Sequence, residues 1–333
     1  MKADGLNTAQ KKSLIGILDS GYKSYDYEKK LFSKNGYTLK FYKGTFEDLE
    51  SKREFASQCT GLLVRITKID RDFLKGISNL KAIVRYGIGY DNIDLSAASE
   101  KGIAVANVQG YATNSVSDHT IALLFSCLRG INMARRTIKT AMTRPPFDDM
   151  FELHDKTLGI IGLGRIGSSF CRKVNAMFEH VLAYDPYIND HHFRKAGAEK
   201  SDLEGVLRRS DVISLHCNLT EETKHLLNSK AFSLMQKKPL ILNTSRGPVI
   251  DERALRKALE NNIIHSAGLD VYENEPLSEK QDFLVNHPRI VTTGHYAWYS
   301  DYAAQELQKR ATHNMIDLLA GKQIDDLLNK FEI

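Results

Sequence analysis

At 333 residues the chain is too long for one typical core, and 42% hydrophobic with 26% charged residues is an ordinary globular composition, so two α/β domains are expected. The net charge of +5 is spread over 46 basic and 41 acidic residues in scattered pairs rather than a run, which argues against a nucleic-acid surface. No apolar stretch approaches the ~18 residues of a membrane span, no secretory signal is visible, and Cys59, Cys127, Cys171 and Cys217 lie too far apart for a zinc or disulfide framework, so a cytoplasmic protein with reduced thiols and no metal is expected.

In chain order, short apolar runs predict strands at 14–18, 39–41, 62–64, 82–84 and 103–106, with helical stretches at 27–33 and 95–99 among them. The texture then changes. From Ser115 to Arg129 the sequence SVSDHTIALLFSCLR predicts a helix that is apolar on nearly every face, which must be buried by something beyond its own domain edge. It is read as a connector and as a homodimer interface. Residues 143–151, with two consecutive prolines, predict a loop. A second series of strands follows at 158–161, 181–184, 212–215, 240–243, 266–269 and 290–292, before an amphipathic helix at 303–319 and a polar tail. Short strands alternating with helices point to parallel sheets in both halves. His191 and His192, in a polar stretch, read as solvated surface residues.

The sharpest local pattern is TLGIIGLGRIG at 157–167, in which Gly162, Gly164 and Gly167 form G-x-G-x-x-G directly after a strand and at the start of a helix. The first glycine permits the tight turn, the second lets backbone approach a pyrophosphate, and the third lets helix and strand pack closely. The helix N-terminus, through Arg165 and Ile166, adds N–H groups and positive dipole for the phosphates. Asp185 ends the next strand, eighteen residues beyond Gly167. An acid near that spacing bonds the ribose 2′-hydroxyl and repels a 2′-phosphate, so NAD rather than NADP is the expected cofactor.

Three later strand ends carry reactive side chains: Arg246 after 240–243, Asp270 and then Glu275 after 266–269, and His295 after 290–292. Ligands of open α/β sheets gather at such ends. Taken singly, Arg246 could cap a strand, Glu275 could be a turn residue and His295 a satisfied core histidine.

Several blocks in order resemble the D-isomer-specific 2-hydroxyacid dehydrogenase family: RYGIGYDNID at 85–94, KTLGIIGLGRIG at 156–167, LHCNLTEETKHLLN at 215–228, NTSRGPVIDERAL at 243–255, AGLDVYENEP at 267–276 and HYAW at 295–298. The resemblance implies NAD-dependent interconversion of a D-2-hydroxy acid and its 2-oxo acid, of the glyoxylate or hydroxypyruvate reductase or phosphoglycerate dehydrogenase kind. His295 would be the acid/base, Glu275 the partner of its other ring nitrogen, and Arg246 the fork that holds the substrate carboxylate and C2 oxygen. Thr244 and Asp270 would meet the cofactor, Asp270 through the nicotinamide carboxamide. Backbone amides around Tyr86, Gly87 and Ile88 would take the substrate carboxylate. Arg65 and Arg85 would either bind a second anionic group or serve structure, and Trp298 would wall the substrate pocket. His119, within SDHT, reads as a helix start and receives no chemistry.

The resemblance further implies a flavodoxin-like substrate domain from both chain ends, 1–106 and 299–333, and a Rossmann domain at 107–298, with the active site in the cleft. The sequence departs from the family pattern at Gly294 and Asn218, where proline is common, and at Asp155, where glycine is common. None of these removes a reactive group. The run Trp298, Tyr299, Ser300 also resembles the C-terminal binding protein branch, which leaves a dinucleotide-sensing interaction protein as the alternative. An L-specific dehydrogenase would share the cofactor fold but not this block order.

Overall fold

The computed structural model describes residues 13–138 and 149–329. Most of the expected loop at 143–151 therefore lies outside the described residues. The chain divides into two compact units, Ala112–Ser300 and a unit made from both ends, with the changeovers a few residues beyond those expected.

The two-ended unit holds a five-stranded parallel sheet of β1 (Leu14–Ile17), β2 (Thr38–Phe41), β3 (Gly61–Val64), β4 (Ala82–Arg85) and β5 (Ala104–Ala106). Their order is β2-β1-β3-β4-β5, the flavodoxin-like arrangement. Burial on both faces explains why β3 and β5 read as unbroken apolar runs. The helix Asp301–Leu319 returns to this unit and packs on β3, β4 and the helix Asp26–Lys34. Leu327 then bridges Ala106 at the sheet edge. Asp48, Asp70 and Asp94 cap three of its helices through their side chains, each cap stabilising by about 1 kcal/mol.

The Ala112–Ser300 unit holds seven parallel strands: β6 (Thr157–Ile161), β7 (His180–Tyr184), β8 (Glu199–Lys200), β9 (Val212–Leu215), β10 (Leu240–Asn243), β11 (Ser266–Leu269) and β12 (Ile290–Thr292). Their order, β12-β11-β10-β9-β6-β7-β8, is the Rossmann order carried one strand further. Six of the strands were expected. The edge strand β8 was not, because it consists of two exposed charged residues with no apolar signal.

The apolar helix, Thr113–Leu128, packs inside this unit on β10, β11 and the helix Arg165–Val174. Val116, Leu123, Leu124, Cys127 and Leu128 are buried there. Ile121 and Phe125 are only partly buried and Ala122 is exposed, so its own unit covers part of its apolar surface.

Candidate active site

The glycine loop follows β6. Gly162 has φ +89°, and a Cβ there would lie 2.6 Å from the Cys217 backbone nitrogen. A Cβ on Gly167 would lie 2.1 Å from the Gly162 oxygen, so the helix Arg165–Val174 approaches the strand as only glycine permits. Gly164 is the opposite case, with nothing within 4 Å of its absent Cβ. That opening, at a helix N-terminus, is a place where a phosphate can meet backbone N–H groups.

Asp185 at the end of β7 accepts from the Leu163 N–H at 2.9 Å and from the Tyr187 N–H at 3.0 Å, one on each carboxylate oxygen. Each oxygen keeps a lone pair for a ribose hydroxyl. The Leu163 carbonyl is also held: Ser168 Oγ donates to it at 2.8 Å, and His192 Nε2 lies 3.0 Å away. His192 is therefore half-buried against the dinucleotide loop, contrary to its expected solvation, whereas His191 is exposed. His216, beneath the same loop, bonds Ser214 Oγ at 2.9 Å, and burial pushes its imidazole down to about 3, so it stays neutral. Phosphate opening, ribose acceptor and helix N-terminus together fit NAD.

Arg246 follows β10. Its Nη1 donates to the Ser245 carbonyl at 2.8 Å, and its backbone oxygen accepts from Asn243 Nδ2 at 2.9 Å. The next residue, Gly247, abuts Tyr272 so closely that a Cβ would fall 1.9 Å from that residue's carbonyl. This contact joins the Arg246 turn to the turn that carries Glu275. Thr244 faces inward instead: its hydroxyl lies 2.9 Å from Thr120 Oγ1, whose own proton goes to the Val116 carbonyl. The Thr244 hydroxyl therefore spends its proton on Thr120 and can meet a cofactor only as an acceptor.

Glu275 and His295 meet directly, Oε2 to Nδ1 at 2.5 Å, with their side chains 35% and 40% exposed. The other Glu275 oxygen accepts from the Tyr272 N–H at 3.0 Å. Burial pushes the Glu275 carboxyl up, but the bond and charge of His295, the Tyr272 N–H and the Arg246 charge outweigh it and hold it below its ordinary value. An ionised Glu275 then fixes the proton on Nδ1 and leaves Nε2 for chemistry.

His295 itself has φ +55°, a left-handed backbone that a histidine adopts at a cost of order 1 kcal/mol. Asp270 holds it there. The Asp270 carbonyl accepts the His295 N–H at 2.8 Å. Its buried carboxylate accepts the Thr293 hydroxyl at 2.6 Å and the N–H groups of Tyr296 and Ala297 at 3.1 and 2.9 Å. A nicotinamide contact would have to share oxygens already taken by the loop. Tyr272 adds a second hold, its hydroxyl donating to the Thr293 carbonyl at 2.6 Å. The sequence reading missed Thr293 and Tyr272; DVY at 270–272 was noticed only for its acid.

In the two-ended unit, burial pushes the Tyr22 hydroxyl well above its ordinary value, and the charges of Arg65 and Arg85 work against this. The Arg85 Nη1 donates to the Tyr86 carbonyl at 2.8 Å over Gly87, whose φ is +141°. Tyr86 is not open to a ligand: its ring is buried, its hydroxyl donates to Glu28 at 3.2 Å and its N–H goes to the Val64 carbonyl at 2.7 Å. The Gly87 N–H turns back to the Arg85 carbonyl at 2.9 Å. Ile88 is half-buried, and its carbonyl accepts from Asn107 at 2.6 Å. Trp298, in the other unit, is half-buried with its ring edge-to-face on Tyr299.

Among the described residues, no three His, Cys, Asp or Glu side chains are grouped to hold a metal ion, and no helix is long and apolar enough to cross a membrane.

Comparison with known proteins agrees with this geometry. The model of the D-isomer specific 2-hydroxyacid dehydrogenase NAD binding domain matches residues 121–297. A glyoxylate reductase of Thermofilum pendens is 35% identical over 268 residues, covering 79% of this chain and 79% of that protein. A D-3-phosphoglycerate dehydrogenase of Bacillus subtilis is also 35% identical, over 80% of this chain but only 51% of its own length, so the chain spans about half of that relative. Among solved structures, a D-lactate dehydrogenase of Aquifex aeolicus complexed with NAD and lactic acid superposes with a TM-score of 0.86 at 25% identity, over 96% of this chain and all of that one. The Ala112–Ser300 unit is an NAD-binding Rossmann domain, and the chain belongs to the D-isomer specific 2-hydroxyacid dehydrogenase family.

Proposed function

We propose that this chain is an NAD-dependent oxidoreductase that interconverts a D-2-hydroxy acid and its 2-oxo acid. The observation that carries the reading is the bond between Glu275 and His295, with Arg246 near enough to act on the same carboxylate. NAD, when bound, supplies the hydride acceptor or donor. In oxidation, His295 Nε2 takes the proton of the C2 hydroxyl, and Glu275 stabilises the imidazolium that results. In reduction the same nitrogen returns the proton to the C2 oxygen. Arg246 holds the substrate carboxylate and that oxygen through its planar fork.

The two-ended unit is the substrate domain in this reading. Arg65 and Arg85, grouped around Tyr22, favour a substrate with an anionic tail, and Trp298 lines the pocket. Because the Tyr86 and Gly87 amides are already used, the substrate carboxylate falls to the Ile88 end of the turn. The protein works in the cytoplasm as a homodimer. The part-buried Ile121 and Phe125 of the helix Thr113–Leu128, with Ile131 and Ile138 beyond it at 51% and 60% exposed, support the dimer.

The test is NADH consumption by the purified protein with glyoxylate, hydroxypyruvate, phosphohydroxypyruvate, pyruvate and 2-oxoglutarate. Turnover of any member supports the reading, and preference for phosphorylated or dicarboxylic members supports the role of Arg65 and Arg85. Tight NADH binding without turnover of any would favour a dinucleotide-sensing role.

A further inference from the structure

We propose that His119 is a positioning residue for the acid/base: from within the helix Thr113–Leu128 it holds the 293–297 loop in the form that presents His295. The inference rests on the catalytic reading of His295 given above. His119 is not at a helix start, as its sequence context suggested, but two turns in. Its Nε2 lies 2.9 Å from Thr293 Oγ1, and its ring stands edge-to-face on Tyr296 at 5.2 Å between centroids. Thr293 and Tyr296 flank Gly294 and the left-handed His295, so one side chain touches the residues on both sides of them.

The hydrogen bonds fix which way the proton runs. Thr293 has one hydroxyl proton, and Asp270 Oδ1 at 2.6 Å, a carboxylate oxygen that only accepts, takes it. The Thr293 oxygen then accepts, so His119 Nε2 must carry a proton and donate. Burial pushes the His119 imidazole below its ordinary value, and the Asp270 charge 3.7 Å away works against this. The neutral Nε2–H tautomer meets all of these conditions. The resulting series, His119 to Thr293 to Asp270, ends on the residue whose carbonyl and carboxylate together hold the His295, Tyr296 and Ala297 N–H groups. Without the His119 donor, the Thr293 oxygen keeps only its bond to Asp270 and the loop loses the ring packed on Tyr296. Gly294, where proline would restrict φ, cannot replace that restraint.

Two measurements test this. Long-range ¹H–¹⁵N spectra of the protein without cofactor at pH 7 should show His119 as the Nε2–H tautomer; the Nδ1–H tautomer would overturn the assignment. In steady-state kinetics, His119→Leu should lower kcat about tenfold, as a small misplacement of an acid/base does, with the NADH dissociation constant unchanged within about twofold. His119→Gln, whose amide can reach Thr293, should recover most of the loss. Thr293→Val should resemble His119→Leu, and the double variant should be no worse than either. A His119→Leu variant at wild-type kcat, no recovery with Gln, or losses that multiply in the double variant would each overturn the proposal. If His119→Leu does not fold, the tautomer and Thr293→Val decide. A wild-type protein that turns over no oxo acid would refute the catalytic reading, and the tautomer would still judge the contact.

Discussion

Each unit places a buried aspartate at the carboxyl end of a strand and uses it to gather the loop after a neighbouring strand. Asp19 follows β1 and accepts the N–H groups of Arg65, Ile66 and Thr67 at 2.8 to 2.9 Å after β3. Asp270 follows β11 and accepts from Thr293, Tyr296 and Ala297 after β12. The difference lies in the counter-charge. Asp19 has Lys52, 1% exposed, with its ammonium at 3.1 Å. Among the described residues, Asp270 accepts from neutral donors and has the imidazole of His119 beside it. A fully charged pair locks the loop that carries Arg65, whereas the loop that carries His295 is held by bonds that single substitutions can adjust. Rigidity is spent on the candidate anion-binding loop, and the acid/base is left to finer control.

The contrast can be broken at several points. The largest effect is expected at its catalytic end: His295→Ala should lower turnover by about 10²–10⁴-fold with NADH affinity largely kept, and a variant near full activity would remove His295 from the mechanism. In the other unit, Lys52→Met leaves Asp19 buried and uncompensated and should cost about 3–5 kcal/mol in urea unfolding. A loss under about 1 kcal/mol would show that the Asp19 loop does not depend on the charge.

The dinucleotide loop gives a smaller, separate effect. On the reading that Asp185 meets the ribose and repels a 2′-phosphate, wild-type protein should prefer NADH, and Asp185→Ser should move the ratio of kcat/KM toward NADPH by about tenfold. Equal rates with both cofactors in the wild type would contradict the role of Asp185. The smallest effect is on acid stability. Burial pushes the Asp19 carboxyl up, but the bonds from Thr67, Arg65 and Ile66 prevail and leave it below its ordinary 3.8. Its contribution is therefore present at neutral pH and lost as pH falls through that lowered value. Asp19→Asn should flatten the fall of stability below pH ~4; an unchanged slope would place the acid sensitivity elsewhere.

Much of this was legible beforehand, for identifiable reasons. Strands buried on both faces announce themselves as apolar runs, and β9, β10, β11 and β12 begin and end where expected. The glycine loop and Asp185 are local in sequence and could be read from spacing. What stayed hidden is contact between distant residues. Nothing in SDHT points to Thr293, 174 positions away, and nothing in a polar run points His192 at the Leu163 carbonyl. Tyr86 shows the reverse limit: its block marked a ligand-binding turn, but burial of its ring and use of its N–H in the sheet appear only in three dimensions. The sequence of the helix Thr113–Leu128 likewise cannot reveal that two strands and a helix of its own unit cover part of it.

The split build of the first unit also sets an order of assembly during synthesis. Strands β1 to β5 are made before the Ala112–Ser300 unit, yet β3 and β4 lack the covering helix Asp301–Leu319, and β5 lacks the Leu328 N–H that bonds Val105, until the segment after Ser300 is made. The Ala112–Ser300 unit is continuous and has its whole sheet earlier. Of these two units the one begun first is thus completed last, and its open face must be kept from other chains while the Ala112–Ser300 unit is made.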